Sequence, residues 1–333
     1  MKLTTAALSL ATCVLTTMAA AQEEIRPTIL YDLGGKFDRS FNENAYNGAN
    51  RFSKETGISL MEFEPQTEAQ RVQAVRTFAE QGGSPIVAAG YAWQPALEEI
   101  APQFPDTKFA IIDTVIDLPN VQSIEFAYNE GSFVVGALAA MVSKTGKIGF
   151  VGGMDIPIIR DFSCGYLSGA RFVDPEIKFV QNMVGTTGAA WSDPARGREL
   201  TIGQFEQGAD IVHGAAGGTT TGVLQAAADT GNLAIGVGSN QNYLQPGSVL
   251  TTNYAALDVA VYGVFEAAMN GTWKPGTVVL GLADGGVGWA LDEHNRDLVN
   301  DEQIARLDEI IAGIVAGEIE VPSYLASGTC PHK

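Results

Sequence analysis

EQGGSPIVAAG (Glu80–Gly90) and EQGADIVHG (Glu206–Gly214) read as one unit met twice: a helix ending at glycine, a strand with Ile-Val, then another glycine. The segment leading into the first copy, AQRVQAVRTFAEQ, spaces its apolar residues as one face of a helix. Moving outward, TILYDL, GISLMEF, KFAIID and NVQSIEF are short β-branched runs, and helical patterns fill the gaps between the early ones. KIGFVGG, IKFVQNMVG and NLAIGVG repeat the alternation around the second copy. Strands alternating with helices over short loops predict an α/β fold with parallel sheets. Two successive sets predict two doubly wound lobes.

A second correspondence supports that reading. Gly34–Gly35 is followed by Phe41 and YNGANRF, and Gly152–Gly153 by Phe162 and YLSGARF. Tyr46, Arg51 and Phe52 match Tyr166, Arg171 and Phe172 at one constant offset. Ligands of open α/β sheets gather beyond the carboxyl ends of the strands, where both Gly-Gly pairs are expected to form turns. Two such lobes facing each other place Phe41 and Phe162 on opposite walls of one cleft.

Composition narrows the partners. The 333 residues suggest about two domains, and 46% hydrophobic with 17% charged residues allows each an ordinary core. The formal net charge is −18 and no basic stripe occurs, which argues against nucleic acid, since phosphate contacts need Lys and Arg. The opening MKLTTAALSLATCVLTTMAAAQEE has one Lys, an apolar run and Ala19–Ala21, the pattern of an export signal cut after Ala21. LATC (Leu10–Cys13) leaves a lipid-anchored alternative with Cys13 acylated. The soluble exported form is the expectation. FVVGALAAMV (Phe133–Val142) is too short to span a membrane and reads as a buried helix. Beyond the leader only Cys164 and Cys330 remain; whether they pair is open at this level.

Rival chemistries fit poorly. GGKFDRS lacks the ending of a phosphate loop, and GAAGGTTTG (Gly214–Gly222) has no Lys. The three histidines, His213, His294 and His332, lack metal-ligand spacing, and Asp32 with Asp38 lacks the calcium-loop pattern. No metal and no cofactor are expected. Asp32 reads as a polar contact at a strand end and Ser40 as a helix cap. No nucleophile elbow occurs and no catalytic residue is named, so the expectation is a binding protein that is not an enzyme. Phe41 and Phe162 are the aromatic candidates for a ligand sandwich, in which neither is core, and Trp191 is a further aromatic candidate at a loop position. Asn42, Asn44, Asp113, Asp193, His213 and Asn240 are the polar candidates at loop positions, with Asp32 at a strand end beside them, and the amides of Gly217–Thr220 can donate to a ligand oxygen.

DLGGKFDRSFNENAYNG, EGSFVVGALAA, GGMDIPIIRDFSCGYLSGA, WSDPARGRELT and GAAGGTTTGVLQAA together resemble the basic membrane protein family, or purine nucleoside receptor group. The resemblance runs from about Ile25 to the last helix. It implies a type I periplasmic-binding fold, two lobes joined by a hinge, and a substrate-binding role beside an ABC permease. It also implies a purine ring stacked between Phe41 and Phe162, Asn42 and Asp113 near the base, and Gly214–Gly217 as a loop near the ligand. Crossings near Tyr128, Asn253 and Asp284 then divide the chain after the leader (1–21) into lobe 1 (22–127 and 254–284) and lobe 2 (128–253 and 285–333). One region departs. The family's ribose-binding Asp and its following Lys are replaced by Gly238 and Ala255. The ligand is therefore expected to be a purine nucleoside or a free nucleobase-like flat polar molecule. A sugar or polyol receptor of the same fold, and a nucleoside hydrolase, are the alternatives.

Overall fold

The computed structural model describes residues 25–331. The expected leader, Cys13, the mature start at Gln22 and His332 lie outside the described residues. Strands and helices are numbered in chain order.

The chain forms two six-stranded sheets. The first contains β1 (Thr28–Leu30), β2 (Met61–Phe63), β3 (Ile86–Ala88), β4 (Phe109–Ile112), β5 (Val121–Phe126) and the late strand β11 (Gly276–Leu280). Their order is β11-β5-β4-β3-β1-β2, all parallel. The second contains β6 (Lys147–Met154), β7 (Lys178–Gly185), β8 (Ile211–Ala215), β9 (Leu233–Gly238), β10 (Val249–Ala255) and β12 (Val287–Trp289). Its order, β12-β10-β9-β8-β6-β7, repeats the first, except that β12 runs antiparallel to β10. The patterns that announce β1 to β9 do not announce β10, β11 or β12.

Helices α1 (Phe41–Thr56), α2 (Arg71–Glu80) and α3 (Gln94–Ile100) serve the first sheet. Helices α5 (Pro157–Val173), α6 (Pro194–Glu206) and α7 (Thr220–Thr230) serve the second. Two helices cross over. After β5 the chain enters α4 (Tyr128–Val142), which packs on α5, and after β10 it enters α8 (Leu257–Met269), which packs on α1. A third crossing separates β11 from β12.

Glycine makes both helix pairs close. A Cβ on Gly48 of α1 would stand 2.1 Å from the Asp258 carbonyl oxygen of α8. A Cβ on Gly169 of α5 would stand 1.9 Å from the Phe133 carbonyl oxygen of α4. Real side chains do not reach such distances, so these backbones touch only because the Cβ is missing.

The C-terminal segment, after α9 (Asp301–Val315) and through the short α10 (Tyr324–Ser327), is strapped to α5. Cys164 and Cys330 form a disulfide with Cα atoms 5.7 Å apart. The Asp161 carboxylate accepts from the Ser323 hydroxyl at 3.0 Å and from the Leu325 amide at 3.1 Å. The Asn129 amide donates to the carbonyls of Val321 and Pro322.

Two local expectations need correction. Gly152 and Gly153 are not a turn. They lie inside β6, where Gly152 pairs with Met183, because the strand runs on to Met154. Ser40 does not cap α1. The Asp38 carboxylate does so instead, accepting from the amides of Ser40, Asn42 and Glu43. The Ser40 hydroxyl is turned towards the second lobe.

Candidate ligand cleft

The carboxyl ends of both sheets face one cavity. Its walls take Leu33, Ser40, Phe41 and Tyr91 from the first lobe, and Ile156, Ile159, Trp191 and Val237 from the second. The space within it is about 100 Å³.

The first-lobe wall is polar. Asp32 follows β1 and accepts from the Arg71 guanidinium at 2.6 Å, while its other neighbours are the Leu33 amide and Gly90. Burial raises the Asp32 carboxyl above its ordinary range, with Arg71 opposing. Asp113 follows β4 with φ at +72°, in the left-handed region that an aspartate tolerates better than most residues. Its carboxyl accepts from the Tyr128 hydroxyl at 2.9 Å across the hinge. Burial pushes it up to about 7, with the Tyr128 hydroxyl opposing. Burial likewise pushes Asp38 up to about 6 against its three amide donors. The Tyr91 hydroxyl reaches the Met154 sulfur at 3.9 Å, so the two lobes meet there.

The second-lobe wall is apolar. Ile156, Ile158, Ile159 and Phe162 come from the start of α5 and the residue before it. Trp191 lies over β6, where a Cβ on Gly153 would meet its ring at 2.1 Å. Its Cβ also stands 3.8 Å from the position a side chain on Gly34 would take, which is a contact between lobes. Phe162 is 5% exposed and stacks on Tyr128 with ring centroids 4.4 Å apart.

Of the residues singled out from sequence, Asp32, Phe41, Asn42, Asp113, Phe162, Trp191, Gly217 and Gly238 line this cavity. Five do not, Asn44 and Asp193 among them. His213 is wholly buried in β8 beneath Phe162 and Tyr166, because its side chain points into the core shared with α5. Neither ring nitrogen has a protein partner, and burial pulls its pKa down to about 3. Gly214 is turned the other way, towards Thr220 and Val223 of α7. Asn240 is exposed and donates to Asp292, tying down the loop after β9 away from the cavity.

Two lining residues differ from expectation in detail. The Asn42 side chain is engaged by the backbone: it accepts from the Asp32 amide and donates to the carbonyls of Asp32 and Gly35. It shapes the loop. Phe162 belongs to the main core cluster, contrary to the expectation that neither Phe is core. Tyr91, Tyr128 and the Ile156–Ile159 run are lining residues that the pattern missed. Tyr91 stands just past β3 and the isoleucines just past β6, so the rule that ligands gather at strand carboxyl ends marks both.

The family model for PnrA-like ABC transporter substrate-binding proteins, Bmp, matches residues 28–324. The chain belongs to the Bmp family. An ABC transporter nucleoside-binding protein, BmpA of Lactococcus lactis, is 30% identical over 330 residues, covering 92% of each chain. An uncharacterized lipoprotein of Pyrococcus horikoshii is 34% identical over 287 residues, 81% of this chain and 70% of that one. Among solved structures, a solute-binding protein of an ABC transporter system from Aeropyrum pernix superposes with a TM-score of 0.83 at 27% identity, covering 93% of this chain and 99% of that one. The Bmp chain described above therefore has the type I periplasmic-binding fold and is a substrate-binding protein of an ABC transporter. Among the described residues no helix is long and apolar enough to cross a membrane.

Proposed function

We propose that this Bmp protein is an exported receptor that closes two lobes around a purine nucleoside or nucleobase-like ligand and hands it to an ABC permease. The observation that carries the reading is a cavity at the carboxyl ends of both sheets, with Phe41, Phe162 and Trp191 among its walls and Asp32, Asp113 and Tyr91 at its polar side. Aromatic walls supply contact area to a flat ring, and a few polar groups fix its orientation. The carboxyls suit a ligand edge rich in N–H donors. The nucleoside-binding name of the Lactococcus relative supports the same class.

Hinge closure is the mechanism, with no covalent step and no turnover of the ligand. The three crossings between lobes, after β5, after β10 and between β11 and β12, are the segments that bend. Export follows from the leader, cut after Ala21 to give a soluble protein. The lipoprotein name of the Pyrococcus relative supports the alternative anchored through Cys13, and the intact mass of the mature chain separates the two forms.

Mass spectrometry of what co-purifies with the native protein, released by denaturation, tests the ligand class. A purine or purine nucleoside at near-stoichiometric amount is the expected result. A sugar or polyol in its place, with no heterocycle bound in titrations, would overturn it.

A further inference from the structure

One end of the cavity is closed by the protein's own backbone. Gly238, the last residue of β9, has φ at +83° and lies directly under the start of α1. A Cβ there would stand 2.7 Å from the Ser40 Oγ, 3.1 Å from the Ser40 carbonyl carbon and 3.2 Å from the Phe41 amide nitrogen. A side chain at Gly238 would be crowded between β9 and α1.

Hydrogen bonds between the lobes hold this seam. The Ser40 hydroxyl donates to the Val237 carbonyl at 2.9 Å. The Arg39 carbonyl accepts twice, from the Ser239 hydroxyl at 3.0 Å and from the Gln241 side-chain amide at 2.9 Å. Gln241 is itself fixed, since its other side-chain atom accepts from the Val237 amide at 2.9 Å. Asn44, one turn along α1, donates to the carbonyls of Gly238 and Ala255. The remaining lining at this end is apolar at Val237, Ala255 and Leu257, and its polar groups are already engaged: the Ser40 hydroxyl by Val237 and the Asp38 carboxylate by the amides of Ser40, Asn42 and Glu43.

A sugar placed here would meet two costs. It would have to part the seam, and its hydroxyls would meet only polar groups whose hydrogen bonds are already made, which is unfavourable for buried polar groups. A site gains selectivity as much from what it refuses as from what it holds.

We infer that the Arg39–Ser40 turn, sewn to Val237–Gln241, excludes a glycosyl substituent, so that the receptor takes a free nucleobase-class heterocycle in preference to its nucleoside. This rests on the purine reading above, and the test separates the two. Calorimetric titration of the mature protein with guanine, hypoxanthine and adenine, and with guanosine, inosine and adenosine, gives a base-to-nucleoside affinity ratio for each pair. The expected result is at least one base bound tenfold or more tighter than its own nucleoside. In Ser239→Ala and in Gln241→Ala, each lacking one donor to the Arg39 carbonyl, that ratio falls threefold or more. Thermal unfolding checks that each variant folds, and the exposed-side Ser239→Ala serves if the buried Gln241→Ala does not. Tighter binding of a nucleoside than of its base overturns the inference and leaves the purine reading standing. A preference for the base that neither variant alters removes the turn from its role. Binding of none of the six compounds overturns the purine reading and the inference with it.

Discussion

The two lobes share a strand order but line the cleft with opposite chemistry. The first presents Asp32, Asp38, Asp113 and Tyr91, and the second presents Ile156, Ile158, Ile159, Phe162 and Trp191. The contrast begins at matched positions. Counting back from the paired Tyr46 and Tyr166, Asn42 stands where Phe162 stands, and Asn44 where Cys164 stands. Counting forward from the paired Glu80 and Glu206, Val87 stands where His213 stands. A repeated fold thus does not repeat its site. At one helix position Asn42 shapes the first lobe's loop, while Phe162 lines the second lobe's apolar wall.

The largest expected effect lies in the apolar wall. Phe162→Ala removes a buried ring that stacks on Tyr128, and is expected to cost about 3–5 kcal/mol of stability together with ligand affinity. Phe41 is only partly buried, so Phe41→Ala is expected to cost about 1–3 kcal/mol of affinity with a smaller loss of stability. Denaturant unfolding alongside titration measures both. Equal stability losses for the two rings would break the contrast between walls.

Next comes the way each lobe anchors its first helix. Cys164 ties α5 to the C-terminal strap, and Cys164→Ala is expected to lose about 2–4 kcal/mol by releasing a long loop in the unfolded chain. Asn44 ties α1 by hydrogen bonds alone: to Gly238, to Ala255 and to the Asp258 amide. Asn44→Ala leaves those buried groups short of partners, at about 1–3 kcal/mol. The sharper reading is that Asn44→Ala also shifts the balance between open and closed forms, because its partners span the hinge. Small-angle scattering of the ligand-free protein would detect it, and an unchanged profile would confine Asn44 to stability.

The smallest effect is the pH dependence contributed by His213 of the second lobe, which the raised Asp38 and Asp113 of the first lobe oppose. His213 has a folded pKa of about 3, below the ordinary 6.5, because burial disfavours its charged form. A depressed folded pKa means stability present above the unfolded value and lost as pH falls towards the folded one. Between pH 6.5 and 5.5 the His213 contribution should fall by roughly 1 kcal/mol. His213→Leu, which carries no titrating ring, should lose roughly 1 kcal/mol less than the parent over that interval. Equal slopes in the two proteins would show that other groups set the acid response.

Much of the architecture was legible in the order of residues. Alternating β-branched runs and helical periodicities announced two α/β lobes, because periodicity reports which face of each element is buried. Asp32, Phe41, Asp113, Phe162 and Trp191 were recognisable because strand carboxyl ends and aromatic turns are local features. Strands β10, β11 and β12 escaped, since VLTTNYA, GTVVL and VGW owe their pairing to partners distant in the chain rather than to their own pattern. His213, Gly214 and Asn240 escaped for a related reason. Composition marks a polar or flexible residue near a strand end, but a shift of one residue along a strand turns a side chain from one face to the other. The sequence by itself determined the lobes, their succession and the chemical types available to the cleft. Tertiary structure alone decided that Gly238 meets Ser40, that Asn42 is engaged by its own loop, and that Phe162 is both core and wall. Those outcomes depend on how two separately folded sheets are brought together, and contact between distant segments leaves no local period to read.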